Sequence, residues 1–395
     1  MKTWLFRATF FLLPILISPT LTYSQSRTQE PIRITVSPEK GVHFESADGF
    51  MEFRMGFRLQ QQIALTQIVS EQDALQGEYM IRRERALFRG FLFHNKLDYF
   101  VQLGMDRGRV TLLNAEYRWK PDSYTQISFG QFFPPTFRQF QTISQNLQMV
   151  DRSNVSRFFF TDYDLGIRIR RTLPVYDTFQ FKVSGALTHG EGKNLATAPG
   201  GWAYMGRFEV LPFGAFEKNG DYFESDLVGE KTPKISFGGG FYINHDAYTK
   251  YGNDIWNGYD DDIKDTYADV IFKYDGFSFL GEYIQRNVDN ELIFVEGELY
   301  SSEKISGAGL YLQSGKFITD HIEITSRFSY LNPDDIHHTE LGKFTDQKKF
   351  ALGFNYFFLG HSLKLQSQVG YVSEQFAAIK TCNYFEALTQ FTISF

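Results

Sequence analysis

The sequence predicts an all-β protein: one transmembrane, antiparallel, up-and-down β-barrel of about sixteen strands. Three observations predict it. Aromatic residues are abundant, with 42 Phe and 22 Tyr in a chain of 395 residues. They fall in segments of about ten residues in which apolar and polar side chains alternate, the length and period of a membrane strand. The connections between these segments also alternate in length. Short periplasmic turns opposite long outer loops are what an outer-membrane barrel requires, whereas a soluble sandwich has no need of that rhythm. Composition excludes other classes. No apolar run after the leader is long enough for a helical membrane bundle. A net charge of −6 excludes a generally basic nucleic-acid binder, and a single cysteine, Cys382, excludes a disulfide framework or a multi-thiolate metal site.

The first 24 residues read as a signal peptide. Lys2 and Arg7 flank an apolar stretch from Phe10 to Ile17, and Thr22-Tyr23-Ser24 offers a cleavage site before Gln25. Residues 25–49 are polar and read as a short periplasmic arm with one strand at Ile32–Val36. Residues 50–395 form the barrel.

Sixteen period-2 segments are expected at 50–64, 79–93, 97–106, 111–120, 123–133, 164–173, 178–187, 201–210, 233–244, 265–274, 276–286, 305–314, 320–330, 347–358, 361–372 and 384–395. Two connections break the rhythm: 107–110 is a short outer loop, and 211–232 is an overlong inner one. A hairpin hidden in the second would raise the count to eighteen. In 51–62, Met51, Phe53, Met55, Phe57 and Leu59 alternate with Glu52, Arg54, Arg58, Gln60 and Gln62. Apolar side chains outward and charged ones inward imply a wet lumen, because hydrocarbon cannot hydrate a mid-depth Arg. The chain ends Phe391-Thr392-Ile393-Ser394-Phe395, a closing strand with a terminal Phe of the kind read by barrel-assembly machinery.

Charge is unevenly spread. Residues 54–182 carry 18 Lys+Arg against 12 Asp+Glu, and residues 183–395 carry 17 against 29. Fifteen of the cations in the first window are Arg. Alternation turns Arg54, Arg58, Arg83, Arg85, Arg89, Arg118, Lys120, Arg168, Arg170 and Lys182 into the lumen. Rings of Arg or Lys draw anions through a pore, and the planar guanidinium suits phosphate and carboxylate oxygens. The competing reading is that lumen acids such as Glu52, Asp98, Glu116, Glu209 and Glu323 pair with them across strands. The connection 134–163 opens Pro134-Pro135-Thr136-Phe137-Arg138-Gln139-Phe140 and runs through Arg152 and Arg157 to Phe158-Phe159-Phe160. So apolar a loop is costly on an outer surface. It is expected to fold into the barrel, narrow it, and bring Arg138, Arg152 and Arg157 to the permeating ion.

The stretch Phe129-Gly130-Gln131-Phe132-Phe133-Pro134-Pro135, followed by Asp151-Arg152-Ser153 and Asp164-Leu165-Gly166-Ile167, resembles the phosphate-selective porin O and P family. Arg82-Arg83-Glu84-Arg85-Ala86 and Asn114-Ala115-Glu116-Tyr117 look like its early strands. The likeness covers roughly 50–210 and is looser beyond. It implies a trimeric, sixteen-stranded, anion-passing porin with a series of lumen arginines, set in the lipid and lipopolysaccharide of a Gram-negative outer membrane. The alternatives are a general diffusion porin with little selectivity and an adhesin-like barrel that binds partners through its outer loops.

No catalytic constellation is legible, and no cofactor or metal is expected. His337-His338 read as exposed loop residues, and Gly238-Gly239-Gly240 as a bend or thin wall inside a strand.

Overall fold

The computed structural model describes residues 32–37, 41–69, 75–176, 178–195, 201–247, 250–251, 254–255, 261–289, 292–295, 298–301, 306–334, 346–376 and 380–395. The leader and His337-His338 lie outside them. No helix among them is long and apolar enough to cross a membrane.

Sixteen antiparallel strands close into a barrel: β3 (Glu52–Ile68), β4 (Gln76–Leu92), β5 (Leu97–Gly104), β6 (Thr111–Trp119), β7 (Thr125–Phe132), β8 (Asp164–Tyr176), β9 (Phe179–Thr188), β10 (Ala203–Leu211), β11 (Lys234–Ala247), β14 (Asp261–Tyr274), β15 (Phe277–Val288), β18 (Gly307–Phe317), β19 (Ile322–Pro333), β20 (Gln347–Leu359), β21 (Leu363–Phe376) and β22 (Lys380–Ser394). Each pairs with its neighbour in sequence, and β22 returns to β3 with Tyr384 opposite Ile68 and Ser394 opposite Arg58. All sixteen expected segments are strands, displaced at their ends by a few residues. Phe395 exchanges both backbone hydrogen bonds with Phe57, at 3.0 Å each, so the terminal residue is itself part of the seam.

Two strands precede the barrel, β1 (Arg33–Ser37) and β2 (Gly41–Glu45). The sequence anticipates the first within a residue and misses the second. β2 takes up the stretch of β3 below the reach of β22, pairing Val42 with Met55 and Glu45 with Glu52. Two small ribbons, β12 (Lys250–Tyr251) with β13 (Asp254–Ile255) and β16 (Leu292–Val295) with β17 (Glu298–Ser301), stand in the long loops.

The short turns gather at one end. At Asp275-Gly276 both residues have positive φ, 46° and 74°, the two-residue turn whose twist suits a hairpin. Outward positions such as Tyr117, Phe129, Ile167, Phe208, Phe237, Phe328, Leu352 and Phe391 are exposed and apolar, the surface hydrocarbon requires.

The lumen is filled from both ends. The connection between β7 and β8 enters from the long-loop end and carries two one-turn helices, α1 (Arg138–Gln141) and α2 (Asn154–Phe158). It turns inward because its apolar face meets an apolar wall. Phe137, Val155 and Phe159 pack with Tyr267, Ile271, Leu280, Ile284, Tyr311 and Leu331 of β14, β15, β18 and β19. Burying each such side chain is worth about 1.5–3 kcal/mol. Gly309 on β18 clears the way, since a Cβ there would stand 2.6 Å from Val155 Cγ1.

The expectation for 211–232 needs refinement. It hides no hairpin, and residues 212–233 rise from the short-turn end into the barrel. Phe216, Asp221, Glu224, Ser225 and Asp226 are buried there. The two intrusions join: Glu224 N donates to Asn146 O at 3.2 Å, and Gln139 Nε2 and Gln148 N donate to the Glu224 carboxylate at 3.0 and 2.8 Å.

Candidate functional site: an arginine-lined cavity

Together the intrusions fill the lumen beside β10–β20 and leave a cavity of about 900 Å³ against β3–β8. Eight arginines line it: Arg58, Arg83, Arg85, Arg89, Arg118, Arg168 and Arg170 from the wall, and Arg152 from the loop. All eight are among the thirteen cations anticipated from sequence.

Half of them are paired with carboxylates. Arg118 and Arg168 hold Glu116 between them, at 2.7 and 2.6 Å. Arg85 pairs with Asp106 in the short connection after β5. Arg83 and Arg82 both reach Asp151 Oδ1 at 3.2 Å. That double contact depends on a β-bulge. The register of β3 against β4 slips between Gln60 and Gln61, so Arg82 escapes the alternation that would send it into lipid. Arg82 is therefore a lumen residue that period-2 reading misses. The signal for it was present: Arg82-Arg83-Glu84-Arg85 is too charged a run for an undisturbed membrane strand. Burial would push the Asp151 carboxyl up, but Arg83, Arg82 and Arg157 beside it hold it well below the usual carboxylate range.

The other four have no carboxylate partner among the described residues. Arg58 donates to Gln145 Oε1 and Ser144 Oγ, both at 3.1 Å. Arg170 donates to Gln141 Oε1 at 3.3 Å. Arg152 donates to the carbonyls of Gln139 and Thr142 at 3.2 and 2.8 Å, and its guanidinium lies 4.5 Å from the Phe140 ring centre. Arg89 is exposed to the cavity. These groups keep net positive charge in a confined space, where each charge acts more strongly than at an open surface.

Five anticipated residues stand outside this cavity. Arg138 is sealed against the filled half, pairing with Glu209 at 2.5 Å and Asp269 at 2.8 Å, because the neighbouring Phe137 buries on that wall. Lys182 pairs with Asp221 of the second intrusion. Arg54 is taken by Glu52 at 2.6 Å and Lys120 by Asp98 at 2.7 Å. Arg157 is exposed but does not line the cavity. Lys218, Lys273 and His361 do line it and were not anticipated. Lys218 belongs to the second intrusion, and Lys273 and His361 are brought against it by the fold. The cross-strand pairing weighed against an open pore therefore holds for part of the set only. Among the described residues no group of three His, Cys, Asp or Glu could hold a metal ion.

Solved structures share this architecture. The anion-selective porin of Comamonas acidovorans superposes with a TM-score of 0.57 at 9% identity, covering 87% of this chain and 100% of that one. The fold is that of the outer-membrane porins. Salmonella typhi OmpF, in complex with daunomycin, matches at TM-score 0.56 and 10% identity over 89% of this chain and 100% of its own. The channel DcaP of Acinetobacter baumannii matches at 0.55 and 9%, over 89% and 99%. No protein-family model matches the chain, and no curated protein matches it. The porin likeness is thus one of fold.

Proposed function

We propose that the chain is an outer-membrane porin through which small anions, phosphate-type ions among them, diffuse passively, and that it is not an enzyme. One observation carries the reading: eight arginines converge on a single lumen cavity, and four of them have no carboxylate partner among the described residues. A guanidinium offers a planar fork of N–H donors to an oxyanion, and rings of such groups repel cations. The kinship with phosphate-selective porins O and P belongs to this proposal. Two of its quoted motifs have roles in the cavity: Phe133-Pro134-Pro135 opens the intruding loop, and Asp151-Arg152 anchors it and lines the cavity. Export by residues 1–24, a periplasmic arm at 25–49, assembly through Phe395, contact with lipopolysaccharide and a homotrimeric state complete the reading.

Purified protein in planar bilayers under a KCl gradient tests it. The expected reversal potential corresponds to a cation/anion permeability ratio below one. A ratio above one, or no conductance, overturns it. Native mass spectrometry in detergent is expected to show a trimer, and monomer alone would remove that part.

A further inference from the structure

The intruding loop has a second aromatic cluster on its cavity side. Phe133, Phe140 and Phe160 all line the cavity. Their ring centres lie 5.3 Å (Phe133–Phe140), 4.9 Å (Phe140–Phe160) and 6.2 Å (Phe133–Phe160) apart, and Tyr163 stands edge-on to Phe133 at 5.3 Å. Phe137 and Phe159, their neighbours in sequence, are fully buried on the opposite side of the loop, whereas Phe160 is 39% exposed. An apolar patch left in a polar conduit has an unfavourable free energy in water unless something covers it.

The surroundings of Phe140 say what could. Arg152 covers one side of its ring, and Gln141, the next residue, accepts from Arg170. Both guanidiniums are among the four without a carboxylate partner. Inorganic phosphate gains nothing from the phenyl faces and would lose hydration beside them. An anion with a flat apolar body gains from both parts, since its ring stacks on Phe140 and Phe160 while its carboxylate takes the guanidinium N–H groups.

We propose that this cavity is a binding site for aromatic carboxylates, with the Phe133–Phe140–Phe160 patch as platform and Arg152 and Arg170 as the anion clamp. The proposal rests on the anion-porin reading and names its substrate class.

The test is block of KCl current through the full-length porin by benzoate, acetate or inorganic phosphate. Benzoate is expected to half-block at a concentration about two- to tenfold below acetate, the range one aromatic pair supplies. Benzoate should also block below inorganic phosphate. The double variant F140S/F160S should raise the benzoate value to near that of acetate. The milder variant Phe160→Leu, which keeps apolar bulk and loses the flat face, should shift it part-way. Equal block by benzoate and acetate, stronger block by phosphate, or an unchanged benzoate value in the variants overturns the assignment. If no variant inserts, the wild-type ranking of the three anions decides it. A reversal potential favouring cations overturns the porin reading instead, so the two failures are distinct.

Discussion

The two halves of this lumen are built from the same kind of strand by opposite logics. Beside β10–β20, inward positions carry Tyr267, Ile271, Leu280 and Ile284 between charged residues, and the intrusions fill the space. Arg138 and Arg207 share Glu209 and Asp269 there, and Arg286 holds Asp265 at 2.7 Å. Gln148 acts as a hub, donating to Glu224, Ser278 and Glu323 and accepting from Gln313, Asn355 and Gln366. Against β3–β8, inward positions carry arginines in excess of acids, and the space stays open. An arginine of the filled half holds the structure together, whereas an unpaired arginine of the open half is available to a solute.

Arg138→Ala would break that contrast most severely. It leaves Asp269 and Glu209 short of a partner in a dry site, a loss of about 3–5 kcal/mol. Thermal unfolding in detergent should show a much lower Tm than for Arg170→Ala. Arg170 donates a single side-chain bond to Gln141, and its loss should change stability by no more than about 0.5 kcal/mol. Equal losses would show that the halves do not differ as described.

Charge reversal sharpens it next. Arg58→Glu with Arg170→Glu should move the KCl reversal potential strongly toward cations. Arg118→Glu should have a smaller effect, because Glu116 already neutralises part of Arg118. Lys264→Glu should do least, since Lys264 is exposed and meets Asp262 and Asp289. The order is read from reversal potentials, and an effect of Lys264 equal to that of Arg170 refutes the site.

A subtler change is Arg152→Lys. The sign of selectivity should persist while phosphate weakens relative to chloride, because an ammonium lacks the bidentate fork. Mixed-anion reversal potentials measure this directly.

The smallest effect concerns pH. The folded carboxyl of Asp151 is held below its unfolded value, so its stabilisation is complete above about pH 4 and is lost only as pH falls through the folded value. Single-channel conductance should therefore be steady from about pH 7 to about pH 5, with the loop released only in stronger acid. Asp151→Asn should remove that acid transition. A transition near neutrality in the wild type would contradict the anchoring role.

How far the site was legible depends on the kind of residue. For the wall, alternation found Arg58, Arg83, Arg85, Arg89, Arg118, Arg168 and Arg170, which all line the cavity, together with Arg54, Lys120 and Lys182, which do not. For the loop it could not, because a turn has no period. Arg138 and Arg152 are fourteen residues apart on one segment and face opposite halves. Arg138 meets Asp269 across 131 positions of chain, and no local pattern announces such a pair. Residues 212–233 were visible only as a connection of the wrong length. Arg82 was visible only as a charge too many.

By itself the sequence determined that the chain makes a barrel, where its strands run and which side of most of them faces outward. Those properties follow from a local rule, the two-residue repeat of an extended backbone, applied sixteen times. Only the tertiary structure decided which part of the lumen is solid and which is open. That choice depends on which inward patch an apolar loop face finds to bury against, and on which carboxylates then stand within reach of each guanidinium. Both are contacts between residues far apart in the chain, selected by shape and desolvation after the barrel has closed.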